Sequence, residues 1–468
     1  MSDSILHLNR RHFLELAGTT LAVTALPAFA KDPRKKPPNI IFILADDLGI
    51  GDVGCYGQTR LRTPNIDRLA KEGKLFNQAY AGAPICSPSR CTLMTGLNSG
   101  HSRIRGNFAL AGGIVGSKGS ESVRRANLTA DDVTVAEQLR ALGYHTGLMG
   151  KWHLDGYDPK ATPMDHGFDE FRGWLIQTES TQGYFPTQRY HQRELIDIPQ
   201  KLGHTAAHYE TDLCTDDACD FLRRNAGQAA PFFLFLGYSA PHSPYIAPSY
   251  GSFAGEPWSQ DQKSYAAMIE LMDQGIGSVL RTLQEQGADQ DTIIFFASDN
   301  GARSEATPEQ TAVVEFFSSS GRYRGYKRDL YEGGIHEPFI VRWPGTIKAG
   351  SISDEPVYFP DFLPTALGLA GGSASKTDGV DFSALLYDDK AHLQPRYFYW
   401  ETYEPEFRQA VRRGNWKAIR LSKGQPLELY DLKQDPSETR NIASQHPQVI
   451  AELEHYLLSA RTSSLEYP

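Results

Sequence analysis

Four apolar runs of strand length, each ending abruptly in charged or hydrogen-bonding residues, constrain this chain more than any other feature. Asn39-Ile40-Ile41-Phe42-Ile43-Leu44-Ala45 runs into Asp46-Asp47, and Tyr144 to Met149 runs into Gly150-Lys151-Trp152-His153. Pro231 to Leu236 leads to Ala240-Pro241-His242-Ser243-Pro244, and Asp291 to Ala297 leads to Ser298-Asp299-Asn300-Gly301. Short continuous apolar runs fit parallel strands buried on both faces. Helical patterns separate them, among them Val133 to Leu142, Thr211 to Arg224 and Tyr265 to Gln286. Strands alternating with helices give a parallel sheet whose ligands sit beyond the strand C-termini. One edge therefore receives Asp46, Asp47, Lys151, His153, His242, Asp299 and Asn300. A lone histidine after a strand is more often a hydrogen-bonded core or turn residue, but four coincident strand ends are hard to explain that way. Adjacent carboxylates such as Asp46 and Asp47 repel one another and tolerate this best around a cation.

A second constrained stretch is Cys86-Ser87-Pro88-Ser89-Arg90-Cys91-Thr92-Leu93-Met94-Thr95-Gly96. Pro88 suits the first position of a short helix and Thr95-Gly96 its stop. Cys86 then sits just before a helix N-terminus, where unpaired N–H groups and the dipole favour anionic chemistry. Arg90, one turn on, points a positive fork back at it. A small buried cysteine is the plainer reading for such a residue taken alone.

The chain of 468 residues has room for more than one domain, and its formal charge of −9 argues against a nucleic-acid surface. Its cysteines, at 55, 86, 91, 214 and 219, are too unevenly spaced for a disulfide framework. Arg10-Arg11, a short weakly apolar run and Ala28-Phe29-Ala30 read as a twin-arginine (Tat) export signal over residues 1–30, followed by a linker over 31–38. That run is too short and too polar to span a membrane, so the expected destination is the periplasm or beyond. Thr63 to Gly73 and Asp361 to Ala370 read as further helices, and Gly371 to Ser375 as a flexible break. Tyr397 to Trp400, Gln409 to Arg412 and Trp416 to Arg420 alternate like antiparallel strands, and a last helix starts at Pro447. The expected organisation is an α/β domain over 39–370 and a small subdomain over 376–468.

The stretch from Cys86 to Gly96 resembles the sulfatase signature C-x-P-S-R-x-x-x-[LM]-T-G at every constrained position. Gly150 to His153 resembles the family's G-K-W-H motif, Pro241 to Pro244 its P-H-x-P segment, and Gly325 to Gly334 its G-x-K-x-x-x-x-E-G-G element. This resemblance implies an alkaline phosphatase-like fold, a large mostly parallel mixed sheet flanked by helices, with a smaller C-terminal antiparallel sheet. It implies that a formylglycine-generating enzyme oxidises Cys86 to formylglycine, whose hydrate is the nucleophile. Asp46, Asp47, Asp299 and Asn300, with the converted Cys86, match the metal ligands, an all-oxygen set that suits calcium, or else magnesium, over zinc. Arg90, Lys151 and Lys327 match the residues that hold sulfate. By the same resemblance His242 protonates the departing alcohol and His153 is the base for sulfate release. Many members carry arginine where this chain has His336, which is left outside the expected site.

The likeness is greatest to bacterial arylsulfatase A-type enzymes, so the expected reaction is hydrolysis of sulfate monoesters, of a sulfated carbohydrate and of aryl sulfates. The stretch Gly183 to Arg193, rich in aromatic and basic groups, reads either as a wall over the leaving group or as a surface loop. Two alternatives stand beside this reading: a phosphonate or phosphate ester hydrolase on the same fold, and a secreted sulfated-glycan binding protein that never acquires formylglycine.

Overall fold

The computed structural model describes residues 36–176, 184–198, 208–304 and 307–468. The expected export signal and residues 31–35 of the linker lie outside the described residues. Four strands carry the motif ends: β1 (Asn39–Ala45), β2 (His145–Lys151), β3 (Phe232–Gly237) and β4 (Thr292–Ser298). β1 lies between β3 and β4, with β2 beyond β3, and all of these pairings are parallel. Their C-terminal ends consequently share one edge of the sheet.

The whole sheet has ten strands, in the order Ser351–Ser353, Lys74–Phe76, Phe339–Arg342, β4, β1, β3, β2, Glu170–Trp174, Gln188–His191, Glu194–Asp197. Phe339–Arg342 runs antiparallel to both its neighbours and the last two strands form an antiparallel hairpin, so the sheet is mixed, as the resemblance implies. That hairpin takes up much of the aromatic and basic stretch. Arg189 pairs with Asp217 and Tyr190 stacks on Phe171, so these residues fasten a sheet edge instead of standing free as a wall.

β1 alternates between two cores, because successive side chains of a strand point to opposite faces. Ile40, Phe42 and Leu44 join one cluster, and Ile41, Ile43 and Ala45 the other. On the first face the Phe42 ring lies 5.9 Å from Phe235, 6.1 Å from Phe295 and 4.6 Å from Phe362. Complete burial of each such ring contributes about 1.5–3 kcal/mol. The second face is covered by residues of two long helices, Glu210–Asn225 and Gln260–Glu285. The second of these begins at Gln260 instead of Tyr265. Ser259 and Gln262 cap it reciprocally, and its polar first turn carries no apolar period to read.

The helix α1 (Cys86–Thr95) also starts earlier than the proline suggests: Ile85 is its N-cap, Cys86 its first residue, and Pro88 falls within its first turn. Gly96, at φ 69°, ends it as a left-handed cap.

The C-terminal part forms an antiparallel sheet of four strands, Tyr397–Thr402, Arg408–Arg413, Trp416–Arg420 and Glu428–Asp431. The last was not expected, being only four residues long. One face packs Tyr399, Val411 and Ala418 against Leu453 and Leu457 of the terminal helix Pro447–Leu457. The other packs Phe398, Trp400 and Ile419 against Tyr80, Ile335 and Tyr358, and residues 38–468 form one compact unit. All five cysteines are free, and among the described residues no helix is long and apolar enough to cross a membrane.

Candidate active site

Cys86 is buried at the start of α1, with its Sγ 3.3 Å from Asp46 Oδ1 and 3.2 Å from Lys327 Nζ. Lys327 Nζ donates to Asp47 Oδ1 at 2.6 Å and to Oδ2 at 2.9 Å, while Lys151 Nζ donates to Asp46 Oδ2. His242 Nε2 lies 3.4 Å from Asp47 Oδ2. Asp46, Asp47, Cys86 and His242 each offer a ligand atom, all within 4.8 Å of one another. Arg90 departs from expectation. Its fork turns to Asp299 Oδ2 (Nε, 2.9 Å) and to the Lys151 carbonyl (Nη1, 3.1 Å), so it braces two strand ends and makes no hydrogen bond to Cys86.

The backbone is unusual where these groups converge. Asp47 and His153 both hold left-handed conformations, at φ 65° and 66°. Such conformations persist only where the surroundings over-determine them. Here the Asp47 N–H donates to Asp299 Oδ1 and the His153 N–H to the Leu175 carbonyl. Gly150, at φ 104°, has the Gly237 carbonyl oxygen 2.1 Å from where a Cβ would stand, so the ends of β2 and β3 close on each other only because this residue is glycine.

Charge and burial set the protonation states. Burial alone would raise Asp46, but Lys151, His242, Arg90 and Lys327 outweigh it and hold the carboxyl well below its usual range. Asp299 is pushed up to about 7 by burial and by Asp46, against Arg90 and Lys151. Burial pulls His153 well below the ordinary histidine value, and Lys151, Arg125 and Arg90 add to this. His242 is brought down to about 3, first by burial and then by Lys327 and Lys151, against Asp47 and Asp46. Burial and Asp46 push the Cys86 thiol up, so an unconverted Cys86 stays protonated and is a poor nucleophile.

Three carboxylates, Asp46, Asp47 and Asp299, face three cations, Lys151, Lys327 and Arg90, and formally cancel. Asn300 Nδ2 donates to Asp47 Oδ1 at 2.7 Å and to the Gly301 carbonyl, leaving its Oδ1 buried with no partner among the described residues. A cluster of carboxylate oxygens with an unused amide oxygen fits a hard divalent cation, which also supplies the net positive charge an anionic substrate needs.

Several residues at the site gave no sequence signal. Arg125, at the end of the hairpin Ile114–Lys118/Glu121–Arg125, donates from Nη1 to His153 Nε2 at 2.9 Å. The arginine has only donors, so His153 carries its proton on Nδ1. Arg303 donates to Ser243 Oγ at 2.6 Å, and its Nη1 lies 3.5 Å from His242 Nε2. His242 Nδ1 donates to the Ser243 carbonyl at 2.5 Å, and the Tyr184 hydroxyl donates to the carbonyls of Ser239 and His242, fixing that loop. Glu337 is fully buried with both carboxylate oxygens unpartnered among the described residues, and burial pushes it well above the usual range, so it is a neutral acid.

His336 is taken up structurally: Nδ1 lies 3.0 Å from Glu332 Oε2 and Nε2 2.8 Å from the Asn77 carbonyl oxygen. It lines a cavity of about 800 Å³ with Tyr80, Tyr323 and Arg412, which contains none of the expected site residues.

A buried cluster of carboxylates and ammonium groups around a helix-start cysteine, at the C-terminal edge of a mixed α/β sheet, defines a hydrolase of anionic esters. The comparisons give the family. The sulfatase family model matches residues 38–373, and a model described as N-sulphoglucosamine sulphohydrolase, C-terminal, matches residues 321–463. Arylsulfatase A of Bos taurus is 32% identical, over 92% of this chain and 88% of that protein. N-acetylgalactosamine-6-sulfatase of Canis lupus familiaris is 31% identical, over 82% of this chain and 72% of the relative. The solved complex of Ps i-CgsB with k-i-k-neocarrahexaose superposes with a TM-score of 0.75 at 28% identity, covering 91% of this chain and 92% of that one. The phosphonate monoester hydrolase of Agrobacterium radiobacter shares the fold, with a TM-score of 0.64 at 21% identity over 90% of this chain and 95% of that one. The chain belongs to the sulfatase family and is a hydrolase of sulfate esters.

Proposed function

We propose that the protein removes sulfate from a sulfated carbohydrate, and from aryl sulfates in the test tube, with formylglycine in place of Cys86 and one calcium ion. The observation that carries this reading is the convergence on Cys86 of Asp46 Oδ1 at 3.3 Å and Lys327 Nζ at 3.2 Å, within a site whose thiol burial keeps protonated. Asp46, Asp47, Asp299 and Asn300 would hold the cation, which supplies positive charge opposite the sulfate oxygens. A formylglycine hydrate supplies two hydroxyls, one to attack sulfur and one whose loss of a proton lets the aldehyde re-form.

The remaining work falls to this chain's own side chains. Lys151 and Lys327 turn from the carboxylates toward the sulfate oxygens and neutralise charge as it shifts to the leaving group. Arg90 fixes Asp299 and the end of β2 in one geometry. His242 gives a proton to the departing oxygen from Nε2. The substrate's negative charge beside that nitrogen raises His242 from its low value, because an anion favours the charged imidazole. His153, held neutral by burial and its cationic neighbours, takes a proton on Nε2 in the sulfate-release step once the Arg125 N–H that donates to that nitrogen has turned away to substrate. The support for a carbohydrate substrate is the likeness to Ps i-CgsB, solved with k-i-k-neocarrahexaose, and to N-acetylgalactosamine-6-sulfatase. Tat export of the folded, already converted enzyme completes the proposal, with residues 1–30 as its signal and residues 376–468 as a smaller subdomain.

The test is a side-by-side rate measurement on p-nitrophenyl sulfate and phenylphosphonate, with wild type and Cys86→Ala. The sulfate is expected to be the better substrate and the variant inactive on both. Faster phosphonate turnover would move the protein to the phosphonate hydrolases, and a wild type inactive on both would favour a glycan-binding protein.

A further inference from the structure

Arg125 is 5% exposed, although Glu121, Ser122 and Arg124 of the same strand are exposed. Its guanidinium carbon lies 5.1 Å from the ring centroids of both Phe108 and Tyr157. Nη1 meets His153 Nε2 at 2.9 Å, and Nε is buried without a partner. Among the described residues no carboxylate pairs with it. Arg90, Arg105 and Arg342 are buried to a similar degree and each has one, Asp299, Glu401 and Asp289, while Arg412 spends Nε, Nη1 and Nη2 on the Gly414 carbonyl, the Tyr80 hydroxyl and the Gln78 amide oxygen. A buried cation without a counter-charge is unfavourable unless an anion completes it. A planar fork held between aromatic faces is built to receive a carboxylate or sulfate group.

The scissile sulfate already has Lys151 and Lys327 to answer its charge, while Arg90 is held by Asp299. Arg125 comes from a different element, the hairpin, and reaches the site beside His153 with its other donors unspent. We propose that Arg125 is a specificity-determining residue that binds a second anionic group, carboxylate or sulfate, on a substrate that carries it close to the scissile sulfate ester. The inference rests on the sulfatase reading above and narrows the substrate to doubly anionic carbohydrates, either uronate-containing or multiply sulfated.

The experiment compares kcat/KM for phenyl sulfate with that for the ortho, meta and para isomers of carboxyphenyl sulfate and phenylene disulfate, in wild type and Arg125→Gln. Wild type should prefer at least one doubly anionic isomer by about ten- to a hundredfold, the worth of a charge-assisted hydrogen bond, and Arg125→Gln should lose that preference. Each preference is a ratio within one preparation, so incomplete folding of the variant cancels. The favoured series, carboxyphenyl or disulfate, identifies the second group. Absence of any preference in wild type, or an equal loss on all probes in the variant, would overturn the proposal. Calorimetric titration of Cys86→Ala with the phenylene disulfates and with phenyl sulfate decides the matter without turnover. Tighter disulfate binding that disappears in Cys86→Ala/Arg125→Gln supports the role, and equal binding contradicts it. A wild type that hydrolyses none of the sulfates would sink the sulfatase reading, while this titration still judges Arg125.

Discussion

Lys327 Nζ stands 3.2 Å from Cys86 Sγ while donating to Asp47 Oδ1 at 2.6 Å, so one ammonium group bridges the start of α1 and the end of β1. Lys151 makes the matching contact to Asp46. Both lysines are buried, where a charge-assisted contact is strong because little water competes with it.

Lys151→Ala and Lys327→Ala are each expected to lower kcat/KM on p-nitrophenyl sulfate by roughly 10²-fold or more, since a preorganised donor of this kind is worth about 3 kcal/mol in the transition state. Near-normal kinetics in either variant would remove that lysine from the site.

The three carboxylates and the unpartnered Asn300 Oδ1 predict a dependence on a hard cation. Chelation should abolish activity and calcium or magnesium should restore it. Asn300→Ala should weaken calcium binding measured by calorimetry on Cys86→Ala protein, independently of turnover. Restoration by zinc alone would mean a different donor set.

The two histidines are distinguished by leaving group. Expelling an alkoxide from a sugar needs a proton far more than expelling nitrophenolate, and general acid catalysis typically supplies about 10²–10⁴-fold. His242→Ala should cripple hydrolysis of alkyl and sugar sulfates yet spare much of the p-nitrophenyl sulfate rate, steepening the Brønsted dependence on leaving-group pKa. His153→Ala should slow both kinds of substrate alike where sulfate release limits turnover. A steepened slope for His153→Ala alone would reverse the assignment.

Glu210, wholly buried at the start of its helix, links pH to stability. Burial pushes it up to about 7, with a contribution from Asp46, against the hydrogen bond from Cys214. The native state thus holds this proton between pH 4.5 and about 7 while the unfolded chain has lost it, and stability falls as pH rises through that window. Urea unfolding should show up to about 3 kcal/mol less stability at pH 8 than at pH 4.5 from this group, and Glu210→Gln should flatten the slope. An unchanged slope in the variant would place the pH dependence elsewhere.

What could be read in the sequence follows a physical line. The buried strands were legible because a strand covered on both faces has no polar positions, as β1 shows, and their ends were legible because charge begins where burial by neighbouring strands stops. Helix starts were less so: Gln260 opens a helix with polar residues, and the helix at Cys86 begins before its proline. The short strand Glu428–Asp431 and the edge hairpin Gln188–His191/Glu194–Asp197 owe their form to pairing with a preceding strand and not to an apolar pattern of their own. Arg125, Arg303 and Tyr184 were invisible for another reason. Each reaches a histidine or its loop through the fold, and no spacing in the chain connects Arg125 with His153. The place of Arg90 in its helix is legible in the sequence, but its partner, Asp299, is set by the end of β4.

The most direct measurement of the central claim is peptide mass spectrometry across residues 80–100 of the protein purified from its native host. Formylglycine at Cys86 predicts a tryptic fragment lighter by the exchange of a thiol and a hydrogen for an aldehyde oxygen, reactive toward hydrazides, with Cys91 of the same segment still a thiol. An unmodified Cys86 thiol in protein that hydrolyses p-nitrophenyl sulfate at full rate would contradict the account.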